Sequence, residues 1–591
     1  MVYQKNLSST CWILLLCLLH SGVTNAGSKP KHKKFKPKQR DDSSQKPNII
    51  FILADDLGYA DVGFNGKRYG SQIQTPNLDR LARSGVILSN YYVQHLCTPS
   101  RSTLMTGRYP IHTGLSHSNI KPTRPMCLPE DEVTLPQKLK EAGYVTHMVG
   151  KWHLGIQRKE CLPTYRGFDS FVGKYLGAGE YFTHMKKVIL DNPLRVLNAY
   201  DFHRDTGQNR TVGYKYYGEY STHVFAQRAK NIVKTYRSKK PLFMYLSFQA
   251  PHGPLQVPNK YKLPFANTNM TYDRKTMAAM IYCMDKAIGD IVKELKSAGM
   301  YKNTVIIFTS DNGGPRGLPV SNWPFRGYKA TFFEGGVRAA GFIHTPLFPK
   351  SLRGTVHNGL IHISDWFPTI IQGLSGGNTN GTKPLDGFDM WETIKTGTKS
   401  PRTEILYNIN TVGVNREGPQ FLQKMESALR MGDWKIITGR QDKGHRWQAP
   451  PESKHSDIKR TEPHDKRIWL FNITADPYEF HDVSELNPGI VNVMLNRLQE
   501  YLDNMTTPIW PHMDASYDPA NYGGVWGPWT VSPSSFEETL KAEKRQKPQE
   551  AREKKKKKKQ LKKARKRNKK LKQQISKNTQ RKQQSNKGPG A

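Results

Sequence analysis

Four short apolar runs, each ending abruptly in charged or amide side chains beside Gly or Pro, constrain this chain more than any other feature. Residues 48–54 (NIIFILA) run into Asp55-Asp56-Leu57-Gly58, and 144–149 (YVTHMV) into Gly150-Lys151-Trp152-His153. Residues 242–248 (LFMYLSF) run into Gln249-Ala250-Pro251-His252, and 304–309 (TVIIFT) into Ser310-Asp311-Asn312-Gly313-Gly314. Short runs of this kind, rich in β-branched and aromatic residues, are signals of buried strands. Helix-like stretches alternate with them from Pro47 to about residue 400, which predicts an α/β domain, a sheet covered by helices. Open sheets of that class bind ligands beyond the carboxyl ends of their strands. Any one polar strand end is explained by a turn. Four that supply three Asp, one Asn, one Lys and two His predict a shared rim.

The texture changes near residue 400. Strand signals at 434–438 and 468–473, and helical spacing of Val491, Met494, Leu495, Leu498 and Leu502, predict a smaller α+β domain over 401–535. The net charge of +41 sits largely at the ends. Residues 541–591 hold 23 Lys/Arg against 3 Asp/Glu, and 27–47 hold 8 against 2. Both segments are poor in apolar residues, so 27–47 is expected to be a disordered linker and 536–591 a solvated basic tail. A whole-chain nucleic-acid binder is thereby excluded. Six consecutive lysines at 554–559 suit capture of heparin-like polyanions through counterion release.

Lys5, an apolar run at 11–19 and Thr24-Asn25-Ala26 have the form of a cleaved signal peptide over 1–26. Nine apolar residues span roughly half of a ~30 Å bilayer core, so no transmembrane anchor is expected. The chain is placed in the secretory pathway, as a secreted, endoplasmic reticulum or lysosomal protein. Cys97, Cys127, Cys161 and Cys283 then remain, with three full pairings open. Sequons at Asn209, Asn269, Asn380, Asn472 and Asn504 agree with surface glycosylation.

The chemistry centres on Cys97-Thr98-Pro99-Ser100-Arg101-Ser102-Thr103-Leu104-Met105-Thr106-Gly107. Pro two residues after Cys marks a helix start. A helix N-terminus and a nearby Arg lower a thiol pKa, so a thiolate nucleophile is one expectation. The C-x-P-S-R pattern also resembles the signature of type I sulfatases. A second signature of that family is matched by residues 143–153, GYVTHMVGKWH. The similarity extends from about 48 to 529 and is most detailed toward the arylsulfatase B group, through RKECLPT, WPFRGYKATFFEGGVR, IHISDWFPT, NGTKPLDGFD and GVWGPW.

The resemblance implies an alkaline-phosphatase-like mixed sheet, with a catalytic domain over 48–400. It implies that Cys97 is oxidised to formylglycine by the formylglycine-generating enzyme, giving a geminal diol with one hydroxyl to attack sulfur and another to expel sulfate. Asp55, Asp56, Asp311 and Asn312, with the side chain at 97, would hold one Ca²⁺. All-oxygen donors suit a hard cation rather than Zn²⁺. Arg101 and Lys151 would orient the diol, His153 would serve as base, and His252 and Lys329 would bind sulfate and protonate the leaving oxygen. Lys151 would contact substrate as well. Cys127 and Cys161 match a disulfide pair of the group, and Cys283 is expected as a buried free thiol. His95 and His147 carry no such match and are left as structural. The implied activity is hydrolysis of aryl sulfates and of a sulfated sugar or glycosaminoglycan. Two rivals stand beside it: a phosphate-ester hydrolase of the same fold, and a non-catalytic matrix protein whose basic arms bind polyanions.

Overall fold

The computed structural model describes residues 46–529, apart from 191–194, 208, 415–420, 442–443, 445, 462, 464 and 515–516. The signal segment, linker residues 27–45 and the basic tail lie outside the described residues. Lys46 and Pro47, assigned to the linker from sequence, are tied down: the Lys46 ammonium donates to the Ala142 carbonyl at 3.0 Å, and Tyr144 to the Pro47 carbonyl at 2.9 Å.

Ten strands form the main sheet. In chain order they are β1 (Asn48–Asp55), β2 (Val86–Leu88), β3 (Val145–Lys151), β4 (Ser170–Lys174), β5 (His203–Thr206), β6 (Asn209–Val212), β7 (Leu242–Pro251), β8 (Thr304–Ser310), β9 (Gly341–His344) and β10 (Thr355–His357). Their spatial order is β10-β2-β9-β8-β1-β7-β3-β4-β5-β6. The five central strands, β8 to β4, are mutually parallel. Antiparallel strands flank them, so the sheet is mixed.

The four apolar runs are neighbours at its centre. Ile50, Ile52 and Ala54 of β1 join a core with α2 (Ser221–Thr235) and α3 (Tyr272–Ser297) on one face. Ile49, Phe51 and Leu53 face the other core, with α1 (Cys97–Thr106), Trp152 and Trp366. Two buried faces explain why the run is apolar at both parities. In α3, Met277, Met280, Met284, Ile288, Ile291 and Leu295 recur every three or four residues, and the Thr271 hydroxyl caps its first turn by accepting from the Arg274 N–H. Cys283 lies in this helix as a buried free thiol, while Cys127 and Cys161 are joined in a disulfide.

A smaller antiparallel sheet follows, ordered β11 (Glu404–Asn410), β12 (Glu426–Met431), β13 (Trp434–Thr438), β14 (Ile468–Asn472). Leu406, Leu429 and Ile436 pack under α4 (Pro488–Asp503), through Val491, Met494 and Leu498. The opposite face, with Tyr407, Ile437 and Phe471, packs on Tyr92, Phe332 and Phe333 of the larger part. Lys435 of β13 is buried in that interface, 2.8 Å from Glu334 and 2.8 Å from Glu479, and Tyr92 donates to Glu334 at 2.8 Å. Among the described residues no helix is long and apolar enough to cross a membrane.

Two substitutions test these placements. Lys435→Ala leaves two buried carboxylates facing one another, and urea unfolding is expected to show a loss of about 3–5 kcal/mol. A change below ~0.5 kcal/mol, the range of ordinary surface substitutions, would show that the ion network does not hold the small sheet in place. Gly150 pairs with Ser247 across β3 and β7 at φ 115°, and an added Cβ there meets the Ser247 carbonyl oxygen at 1.8 Å. Gly150→Ala is therefore expected to cost about 1–3 kcal/mol by the same assay, and an unshifted midpoint would refute the register.

Candidate active site

The parallel register brings the four strand ends level. Ala54 lies beside Ser310, Asp55 beside Pro251 across an irregularity in β1, and Ser247 beside Gly150. Just beyond those positions the chain adopts unusual backbone: Asp56 has φ 64° and His153 φ 60°. Left-handed conformations at non-Gly residues are strained and persist only where surroundings enforce them. Both sites are enforced here, since the Asp56 N–H donates to Asp311 at 3.2 Å and the His153 carbonyl accepts from Thr98 at 3.0 Å.

Helix α1 delivers Cys97 as its first residue, with Leu96 extended ahead of it and Gly107 ending it at φ 71°. All ten residues of the helix are buried. Ser100 anchors it, with its hydroxyl bonded to the Asp311 carbonyl and accepting from the Gln94 N–H. Arg101, one turn after Cys97, reaches across the rim. Its guanidinium donates to Asp311 at 3.0 and 2.8 Å, to the Lys151 carbonyl at 3.0 Å and to Ser247 at 2.6 Å, and lies 3.7 Å from Asp55. Arg101 thus grips the carboxylate beside Cys97 and makes no hydrogen bond to the sulfur.

The remaining predicted residues converge. The Cys97 sulfur is 3.5 Å from Asp55 Oδ1 and 3.2 Å from Lys329 Nζ. Lys151 pairs with Asp55 at 2.7 Å, and Lys329 with Asp56 at 2.5 Å. His252 Nε2 is 3.3 Å from Asp56, while its Nδ1 is 2.7 Å from the Gly253 carbonyl, which assigns the proton to Nδ1. Asn312 donates to Asp56 at 2.7 Å. His153 lines the same cavity as Cys97 and His252, a space of about 180 Å³. Gly177 makes room for its ring, since a Cβ there would lie 2.7 Å from the imidazole.

Burial and charge oppose one another throughout. Burial pushes the Asp55 carboxyl upward, but Lys151, His252 and Arg101 outweigh it and hold it at about 2. Asp56 is likewise kept below the ordinary carboxylate range against burial, by His252 and Lys329. Burial would lower the Lys329 ammonium, yet the Asp56 carboxylate, helped by Asp55 and Asp311, carries it well above its usual value. His153 goes the other way: burial, reinforced by Lys151 and Arg101, keeps it neutral. Of the two sequence readings of Cys97, a thiolate and a precursor of formylglycine, the thiolate is disfavoured by its surroundings. Burial, with repulsion from Asp311, pushes the thiol up to about 12, because the charge of Arg101 is already engaged by Asp311.

Ligand atoms of Asp55, Asp56, Cys97 and Asp311 all lie within 4.8 Å of one another. The Asn312 side-chain oxygen is buried at the same rim without a hydrogen-bond partner. Three carboxylates and an unsatisfied amide oxygen fit a hard divalent cation.

His147 and His95 stand apart from this cluster, as expected. His147 bonds to Ser170 at 2.7 Å and His95 packs on Phe332. Asn209, Asn269, Asn380 and Asn504 are exposed and Asn472 half-buried. Sequence reasoning missed the cavity's far wall, Asn119, Lys121 and Lys186. Nothing in a two-lysine strand such as Met185–Ile189 separates a cavity wall from a solvated face.

Comparison with known proteins agrees with this geometry. The sulfatase family profile matches residues 47–376. Arylsulfatase J of Mus musculus is 45% identical over 520 residues, covering 85% of this chain and 83% of that protein. N-acetylgalactosamine-6-sulfatase of the same organism is 32% identical over 387 residues, covering 62% and 70%. The crystal structure of Ps i-CgsB in complex with k-i-k-neocarrahexaose superimposes with a TM-score of 0.63 at 31% identity, over 80% of this chain and 96% of that one. A rim of strand-end carboxylates around a buried cysteine, on a chain so matched from end to end of its main sheet, places this protein in the sulfatase family, as a sulfuric ester hydrolase.

Proposed function

We propose that the protein hydrolyses the sulfate ester of a saccharide, using formylglycine formed from Cys97 and a calcium ion held by Asp55, Asp56, Asp311 and Asn312. The observation that carries this is the convergence of Asp55, Asp56, Asp311 and the Cys97 sulfur, whose ligand atoms lie within 4.8 Å of one another. Burial also keeps the Cys97 sulfur as a thiol, a poor nucleophile as it stands. Formylglycine would supply, as its hydrate, one hydroxyl to attack sulfur and a second whose loss of a proton reforms the aldehyde as sulfate leaves with the first oxygen. The cation, when bound, balances the three carboxylates and polarises the sulfate oxygens.

The chain's own residues do the rest. Lys329 reaches the side chain at 97 directly and Lys151 sits on Asp55 beside it, so both ammonium groups can stabilise the charge of the sulfate. Arg101 holds Asp311 in place and so acts through that carboxylate. His153, kept neutral, is available to take a proton during sulfate release. His252 keeps Nδ1–H on the Gly253 carbonyl, so Nε2 can take up a second proton from solvent and pass it to the departing sugar oxygen; burial lowers its pKa, so this form is favoured at acidic pH. Because Cys97 is buried, the formylglycine-generating enzyme has to act before α1 docks on the sheet. The signal-like N-terminus and the four exposed sequons support a secretory route. The saccharide class is supported by the printed name of one relative and by the neocarrahexaose bound to Ps i-CgsB.

Cys97→Ala is expected to be secreted normally and to lose hydrolysis of 4-methylumbelliferyl sulfate by at least roughly 10³-fold, the scale of removing a nucleophile. Mass spectrometry of the peptide containing residue 97 should show an aldehyde; a thiol in fully active protein would overturn the mechanism. Prolonged dialysis against EGTA should abolish turnover and added Ca²⁺ restore it. Activity indifferent to the chelator would remove the cation from the site.

A further inference from the structure

Every cation at the rim has a carboxylate of its own. Arg101 is taken by Asp311, Lys151 by Asp55 and Lys329 by Asp56. The far wall of the same cavity is different. Lys121 and Lys186 line it together with Asn119, and among the described residues neither ammonium has a carboxylate within ion-pair distance or a hydrogen-bond acceptor.

Neither lysine is a free-swinging surface group at its backbone. Lys186 lies in the strand Met185–Ile189, paired with Ala199 of the strand Val196–Tyr200. The Trp526 indole N–H donates to the Lys186 carbonyl at 3.0 Å, and the Trp526 N–H to the Tyr200 carbonyl at 2.8 Å. The late GVWGPW segment thus clamps this hairpin against the cavity. Lys121 follows a loop pinned to the first turn of α1. Asn119 accepts from the Thr98 N–H at 2.9 Å, and the Ile120 N–H donates to the Thr98 hydroxyl at 3.2 Å. Both backbones are therefore anchored close to residue 97, with the Lys186 side chain half-buried and the Lys121 side chain exposed at the cavity. Lys186 is half-buried, and burial, with repulsion from Lys151, brings it down to about 8 in spite of a partial pull upward from Asp201, which lies beyond ion-pair distance. Placing a second cation, Lys121, nearby adds to that cost. An anion between them would relieve it, by the same Coulomb terms that let Asp55 and Asp56 stabilise their lysines.

We infer that Lys186 and Lys121 form a second anion subsite, which takes a carboxylate or a second sulfate group on a substrate whose scissile sulfate sits at residue 97. This rests on the sulfate-ester assignment above and narrows the substrate to doubly anionic saccharides. A neutral sugar hydroxyl would leave the two charges uncompensated.

The test uses the full chain carrying Cys97→Ala, so that binding is read without turnover. Titration calorimetry compares propyl sulfate, 3-carboxypropyl sulfate and propane-1,3-diyl disulfate, which share a spacer and differ in the second group. The second anion should tighten binding at least tenfold, and the carboxylate and disulfate arms show which group is taken. Lys186→Gln with Lys121→Gln should erase that gain, and Lys186→Arg alone should keep it. The basic C-terminal tail is present in every variant and cancels. Equal affinity for one and two anions, or a gain that survives the double substitution, overturns the subsite alone. Failure of propyl sulfate itself to bind removes the proposed seat of the scissile sulfate at residue 97 and, with it, this inference.

Discussion

The buried pair between Arg101 and Asp311 is the constraint on which the site depends. Three carboxylates sit at the end of a sheet whose surroundings exclude water, and their mutual repulsion there is far stronger than at a surface. Arg101 engages one through two N–H groups and spends its others on the Lys151 carbonyl and Ser247, so it ties α1, β3, β7 and the end of β8 at a single point. A buried pair of this kind contributes little net stability over an apolar replacement. Its value is positional: it determines where Cys97, one turn earlier on the same helix, meets Asp55 and Lys329.

Much of that rim was legible before any coordinates. Asp55, Asp56, Lys151, His252, Asp311 and Asn312 each follow an apolar run, and strand polarity alone gathers such ends on one edge. Lys329 was of another kind. It lies in a loop between β8 and β9, and only the match of the surrounding RGYKATFFEGG to a family pattern marked it out. The protonation state of Cys97 was not legible in the sequence, for a physical reason. A helix start and an arginine four residues on do lower a thiol pKa when they face it, but sequence does not tell that the helix is buried along its whole length. Nor does it tell that the arginine is turned toward an aspartate.

Lys186 and Lys121 were illegible for a related reason. An unpaired lysine in an alternating strand reads as a solvated face, and most are. What distinguishes these two is the absence of partners in a place where every other cation has one, a property of the assembled cavity rather than of any segment. The GVWGPW stretch shows the same dependence on assembly. Some 340 residues separate Trp526 from the Lys186 carbonyl it holds, and the role of that indole appears only once the chain has returned to the hairpin.

The two walls of the cavity thus differ in how they are supported. The rim is built on central strands and a wholly buried helix, so its dipoles and charges are fixed before substrate arrives and need no reorganisation during the reaction. The far wall hangs on two attachments, a loop bonded to Thr98 and a hairpin bonded to Trp526. Neither belongs to the central parallel strands. Changes of sequence in the hairpin can move Lys186 without touching Asp55, Asp311 or Cys97, whereas the loop that carries Lys121 is bonded to Thr98, the neighbour of Cys97. The chemistry at residue 97 and the choice of what else the substrate must carry are therefore separable on the Lys186 side of the cavity and coupled on the Lys121 side.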